Sequence, residues 1–408
     1  MRRLRRRGKR KYKMRPDEKL TTKEEFLSSL FEIWDPQPQA EMIPVEESEG
    51  RILAEDQFAR YDLPVVRASR FDGIAVKSAA FADGMPDTSS WKLGEDFVRA
   101  DTGDDFDDAY DAVIMIEQVN IHPDIGVDIH LRPDQNIESG SNVSPKGSQL
   151  AKGTLVAHKG FTLNPVSISS IIRGGITEIP VIKRPRVGYI PTGSELVAAG
   201  TAPARGQNIN SNAALVEGLI RTFGGVPTIY DIVPDDMQML SDALDKAIRE
   251  NDIVLMSGGS SKGEEDFTTR LFEQHSKLLT HQVRSVPGRP MSVAIDGDKP
   301  LINLSGPSAA ALNGMLWCVN AVIARFMGRK PYSFPKEKAI LSSDMRVPGK
   351  MELLHTLMLH RAEDGILRAE VAGRSLAANG FYITSLGEDP KSAGDTIEVS
   401  LLCPPSDY

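Results

Sequence analysis

From Arg184 onward, strand-type and helix-type patterns alternate with short connections, and this alternation limits the fold more than any other feature of the chain. RPRVGYIPTGSEL is a buried-strand run ending in a Thr-Gly turn, and NSNAALVEGLIRTFGG is a helix with an Asn/Ser start and a Gly stop. VPTIYDIVPDD is the next strand, MQMLSDALDKAIREN the next helix, and DIVLMSGGS a third strand. The pattern predicts a parallel sheet covered by helices on both faces. Ligands of such sheets sit at the carboxyl ends of the strands, which here read TGSE, PDD and SGGSSKGEED.

The third of these ends, residues 257–266, joins glycines to acids. Gly258 and Gly259 let backbone N–H groups approach an oxyanion, and Gly263 adds a position where positive φ costs little. A Gly-rich loop alone is more often only a tight turn. Glu264, Glu265 and Asp266 beside it become tolerable when a divalent cation lies between carboxylate and phosphate, because Mg²⁺ takes one or two carboxylates plus phosphate oxygens. Lys262 either contacts a phosphate or pairs with the adjoining acids. Asp235 and Asp236 read either as a helix N-cap or, with Glu195, as one acidic rim. Together these features suggest a metal-bridged phosphate or oxyanion ligand. In SRFDGIAV (69–76), Asp72-Gly73 reads as a hairpin turn, with a catalytic carboxylate the alternative.

At 408 residues the chain exceeds one core, and about 150 residues per domain gives two to four domains. Cys318 and Cys403 fit no disulfide or metal framework, and the seven histidines show no metal-ligand spacing. No uninterrupted apolar run reaches the roughly 18 residues of a membrane span, so a reducing, cytoplasmic protein without membrane contact is expected. MRRLRRRGKRKYKMR holds ten basic residues and no acid, leaving 38 basic against 56 acidic groups in the remainder. This arm reads as a solvated tail, and nucleic-acid contact by it is not expected. TTKEEFLSSLFEIWD carries a capping box from Thr22 to Glu25, residues 62–157 hold short β-type runs, and a β module follows the 328–340 connector.

In their order these motifs resemble the MoeA family of molybdopterin molybdenumtransferases, from about residue 20 to the C-terminus. The resemblance rests on Ser69, Asp72, Gly73 and Ala75; on Thr102, Gly103, Asp111, Ala112, Val113 and Glu117; and on TGSEL, NSN, PDD, SGGSSKGEED and PGRP. It implies a multidomain α/β plus β fold. A split N-terminal domain (19–62 and 150–183) would carry an inserted β-rich domain (63–149), followed by a three-layer α/β domain with a parallel or mixed sheet (184–333) and a C-terminal β-barrel-like domain (334–408), after a basic arm (1–18). It implies that molybdate and adenylylated molybdopterin are substrates, that a divalent cation such as Mg²⁺ assists, and that AMP leaves. The implied catalytic residues are Asp72, Glu195, Asp235 and Asp266, with Glu195, Asp235 and Asp266 at the metal. Ligand contacts would come from Thr102, Gly193, Ser257, Gly258, Gly259, Ser261, Lys262, Gly263 and Arg289. The implied assembly is a homodimer in which Asp72 serves the partner's α/β domain, with the molybdopterin adenylyltransferase as a candidate partner.

Among the departures from the family pattern, Glu138-Ser139 stand where arginines are common. Asn142 stands where an Asp aligns, Val286 where a Lys is frequent, Ser194 where TGDEL has Asp, LSGPS (304–308) replaces LPGNP, and Lys262 replaces an apolar residue. A neutral amide cannot replace a metal-binding carboxylate. The alternative reading is therefore a protein that holds a pterin, nucleotide or protein partner without turnover.

Overall fold

The sheet predicted from Arg184 is the centre of a computed structural model that describes residues 20–122, 126–258, 267–373 and 378–405. Its six strands run in the order Val226–Ile229, Arg186–Pro191, Ile253–Ser257, Lys299–Leu304, Ser292–Asp296, Lys277–His281. The first four are parallel, and Ser292–Asp296 runs antiparallel to both its neighbours, so the sheet is mixed. The chain leaves Arg186–Pro191 toward one edge and returns to place Ile253–Ser257 on its other side. The carboxyl ends of these two strands therefore flank the point where the order reverses.

Helices cover both faces. Met237–Glu250 and Phe267–His275 bury Leu240, Leu244, Leu271 and Phe272 against Ile190, Val254, Met256 and Leu301. Each of these fully buried side chains contributes roughly 1.5–3 kcal/mol. Asn212–Thr222 and Ser308–Gly314 pack together on the opposite face. The latter helix continues through a π-type turn, Met315–Val319, into Asn320–Phe326. Ser308–Phe326 is apolar and long enough to cross a membrane by length and composition, but 72% of it is buried in this core.

Two units divide the chain by their contacts, residues 1–39 with 183–408, and 40–182. The helix Lys23–Phe31, capped by the Thr22–Glu25 box, belongs with the α/β sheet. Phe26 meets Trp317 edge-on at 5.2 Å, and Trp34 Nε1 donates to the Asp298 carbonyl at 2.8 Å. In the same unit, Glu352–Arg361, Leu367–Val371, Lys336–Leu341, Thr396–Leu401 and Gly380–Ile383 close on themselves as a five-stranded barrel. Leu357, Leu359, Leu367, Ala369, Ile397 and Val399 fill it. Closure pairs each of these five strands on both sides, which removes the exposed edges an open sheet would present.

The 40–182 unit is built from small antiparallel pieces. Ala40–Pro44 pairs with Glu178–Ile182, and Gln57–Phe58 with Leu155–Ala157. Val45, Leu53, Leu163, Ile171 and Ile179 form a core beside them. A second core, with Ile74, Val76, Phe97, Ala112 and Ile114, belongs to a three-stranded sheet centred on Gly73–Val76.

Candidate functional site

At the point of strand reversal lies a cavity of about 470 Å³ lined by Thr192, Glu195, Asn208, Asn210, Ser211, Asn212, Ser257, Gly258 and Ser308, among others. Its floor is hydroxyl and amide. Tyr189, fully buried on the strand Arg186–Pro191, reaches Ser257 Oγ with its hydroxyl. Burial pushes that hydroxyl up to about 12, against the opposing effect of its bonds to Ser257 and Asn212, so it is neutral at physiological pH. The helix Asn212–Thr222 begins at the cavity, which places its partial positive end there. Among the described residues, no Lys or Arg lines it.

Of the residues expected from sequence, Glu195, Ser257 and Gly258 line this cavity. Gly258 has φ +127°, and a Cβ there would lie 2.4 Å from the Thr192 carbonyl oxygen, so the position accepts only glycine without strain. Thr192 is tied in turn to the Ser257 carbonyl through its N–H and its Oγ–H, both at 3.0 Å. At Gly193, φ is +143° and a Cβ would meet Glu195 Oε2 at 2.6 Å, so the Glu195 carboxylate lies against this glycine.

Asp235 joins the same rim through a reciprocal pair, in which Ser194 N–H donates to Asp235 Oδ2 at 3.2 Å and Asp235 N–H donates to Ser194 Oγ at 3.0 Å. The departure at Ser194 thus has a structural role, and an Asp there would set a second carboxylate against Asp235. Asp236 is the helix N-cap, bonding Gln238 and Met239 N–H at 3.0 Å. Gly259, Ser261, Lys262, Gly263 and Asp266 lie outside the described residues. Among the described residues no three His, Cys, Asp or Glu groups form a metal cluster. The donor set nevertheless suits a hard cation, since Glu195 and Asp235 supply carboxylate oxygens on adjoining loops and Mg²⁺ completes its shell with water and phosphate.

Asp72 and Thr102 sit together in the 40–182 unit. Asp72 Oδ1 accepts both Thr102 Oγ–H and Thr102 N–H at 2.7 Å, and these bonds hold its carboxyl below the usual range. Asp72 lines a cavity of about 350 Å³ with Arg99, Asp101, Ile116 and Ile121. Here the structure corrects the expected hairpin turn. Gly73 begins the central strand, and a Cβ on it would lie 1.9 Å from the Ile114 carbonyl, so glycine serves close strand approach. A hollow of about 1060 Å³ in the same unit, lined by residues including Arg67, Phe106, Asp111 and Lys146, takes in none of the expected site residues.

Three other departures have local explanations. Asn142 is left-handed (φ +56°), and its Nδ2 donates to the Val113 carbonyl at 2.9 Å, a bond that a carboxylate could not donate. Val286 pairs in parallel with Leu353 of the barrel strand Glu352–Arg361. Arg284 Nε donates to the Leu20 carbonyl at 3.2 Å, and Arg289 Nε and NH2 donate to Gln282 Oε1 at 3.2 and 3.1 Å. In LSGPS, the Gly306 carbonyl accepts from Asn212 and Ser308 Oγ lies 3.3 Å from Ser211 Oγ. Sequence reasoning missed Tyr189 as a site residue, and it read Asn212 as a helix start within the NSN motif without giving it a ligand contact.

The chain matches the profile of the MoeA N-terminal region (domain I and II) over residues 19–175 and that of a probable molybdopterin binding domain over 188–325. It is 31% identical over 392 residues to a Methanocaldococcus jannaschii protein named for molybdopterin biosynthesis, covering 91% of this chain and 95% of that one. It is 28% identical over 391 residues to the molybdopterin molybdenumtransferase of Bacillus subtilis, covering 90% of each. Its fold resembles crystal structures of MoeA proteins from Pyrococcus horikoshii. One has a TM-score of 0.75 at 23% identity over 95% of this chain and all of that one, another 0.68 at 25% over 94% and all of that one.

Proposed function

We propose, because this chain belongs to the MoeA family, that its strand-end cavity takes the pterin of adenylylated molybdopterin and that the protein inserts molybdenum from molybdate while AMP leaves. The observation that carries this reading is the composition of the cavity. Hydroxyls, amides and a helix N-terminus face the ligand space, the Glu195 carboxylate stands at the wall, and among the described residues no basic side chain lines it. A phosphorylated ligand beside carboxylates, without a Lys or Arg to meet it, calls for a bridging cation.

Glu195 and Asp235 would hold that cation on this unit. When bound, it neutralises charge on the departing phosphate. The chain's own contribution is to fix both carboxylates, Asp235 through Ser194 and Glu195 against Gly193. Asp72, kept ionised by Thr102, is assigned the role of a second carboxylate, supplied across a homodimer. The work would be cytoplasmic, where the unpaired Cys318 and Cys403 remain reduced.

Purified protein incubated with adenylylated molybdopterin, molybdate and Mg²⁺ should release AMP and yield molybdenum-loaded cofactor. Release no faster than in a protein-free blank would refute the reaction. Release that persists unchanged after chelation would refute the cation.

A further inference from the structure

We infer that Asn212, Tyr189 and Ser257 form a subsite that recognises a lactam edge, a ring N–H beside a ring C=O, on the ligand of the strand-end cavity. The inference rests on the reading of that cavity as a pterin site, and it follows from counting protons. Asn212 lines the cavity at 9% exposure, and its Nδ2 donates to the Gly306 carbonyl at 2.7 Å. A carbonyl can only accept, so this bond fixes which end of the amide is nitrogen. Asn212 Oδ1, the other end of the amide, is buried without a partner among the described residues.

The Tyr189 hydroxyl is fully buried and Ser257 Oγ is its hydrogen-bond partner, so the Tyr189 proton is directed to Ser257 Oγ. Ser257 Oγ, accepting from Tyr189, is free to direct its own proton into the cavity that it lines at 3% exposure. The cavity thus offers one donor, Ser257 O–H, oriented by the buried Tyr189 hydroxyl, and one acceptor, Asn212 Oδ1, oriented by the Gly306 carbonyl. A ring edge carrying C=O next to N–H satisfies both at once. An edge with the two roles exchanged leaves the buried Asn212 oxygen facing another acceptor, and a site whose buried polar groups go unmatched discriminates strongly.

Tyr189 is a positioning residue here, because it acts through Ser257. The test uses two pteridines that differ at this edge, pterin (3-NH, 4-oxo) and 2,4-diaminopteridine (N3 acceptor, 4-amino donor), titrated into the full-length protein by fluorescence. Wild type should favour pterin by about tenfold or more. Tyr189→Phe, which keeps the ring and removes only the oxygen, should narrow the preference to about threefold or less, and Ser257→Ala should do the same. Thermal melts of the variants confirm folding. Equal wild-type affinity for both pteridines, or a preference that survives Tyr189→Phe and Ser257→Ala, overturns the lactam subsite while leaving the cavity as a pterin site. Binding of neither pteridine overturns both readings.

Discussion

Replacing Gly258 by alanine should destabilise the protein and disable the strand-end cavity together, because two costs coincide at this position. The backbone sits at φ +127°, where an L side chain is strained by roughly 1–3 kcal/mol. The new Cβ would stand 2.4 Å from Thr192 O and 2.5 Å from Thr192 Oγ1, well inside the roughly 3.5–4.0 Å optimum for non-bonded heavy atoms. Relief requires Thr192 to move. Its two bonds to the Ser257 carbonyl are each worth about 1 kcal/mol net. The expected loss is about 2–5 kcal/mol, a large share of the roughly 5–15 kcal/mol of ordinary domain stability.

Urea unfolding followed by far-UV circular dichroism measures this loss, and the control is Gly306→Ala. Gly306 lines the same cavity, but its φ is not positive and no atom lies within 4 Å of the point where a methyl would sit, so its substitution should stay within about 0.5 kcal/mol. Pterin binding should fall in Gly258→Ala even at temperatures where the variant is folded, since Ser257 and Thr192 are displaced together. Equal stability of the two variants would refute the argument from close approach.

Three further outcomes follow from the site. Asn142→Asp, which restores the family's usual carboxylate, should cost about 1–3 kcal/mol by removing the donor to the Val113 carbonyl, and it should not raise AMP release; a gain in activity in the same assay would show that Asn142 faces the ligand. Thr102→Val should move the Asp72 carboxyl back up toward its ordinary range, read by carbon NMR of the labelled carboxyl. Because the folded value is depressed, the small stability linked to Asp72 is present above its ordinary value and lost as pH falls through the depressed one, and the variant, which keeps the backbone N–H bond at 102, should show a smaller step. Mixing inactive Asp72→Asn and Asp235→Asn proteins should restore about a quarter of wild-type activity if carboxylates act across a homodimer, since half the dimers would be mixed and each of those would hold one intact site; no recovery after exchange would refute shared sites.

Much of the α/β unit was legible because its signals are local. The Thr22–Glu25 capping box, the Asp236 N-cap and the strand runs ending at Pro191 and Ser257 depend on residues within a few positions of one another. What was not legible depends on distant neighbours. Asp72-Gly73 reads as a turn until Ile114, on another strand, is seen against the glycine Cα. Asn142 reads as a lost carboxylate until Val113 is seen to need a donor. Tyr189 reads as an ordinary strand residue until Ser257, 68 positions away, is found at its hydroxyl.

The same distinction bears on the missing charges. Read along the chain, Asn142, Ser194 and Val286 are three losses from one site. In the fold they belong to three different contacts, a bond to a strand carbonyl, a reciprocal clasp on Asp235 and a pairing into the barrel. Only the Ser194 change touches a carboxylate assigned to catalysis, and it removes a repulsive neighbour while keeping both hydrogen bonds that hold Asp235 in place. A like charge at 194 would demand a bound cation to offset it. With serine there, the carboxylate is oriented without that demand, so Ser194→Asp should make AMP release depend more steeply on Mg²⁺ concentration, and an unchanged Mg²⁺ dependence would refute the assignment of Asp235 to the cation.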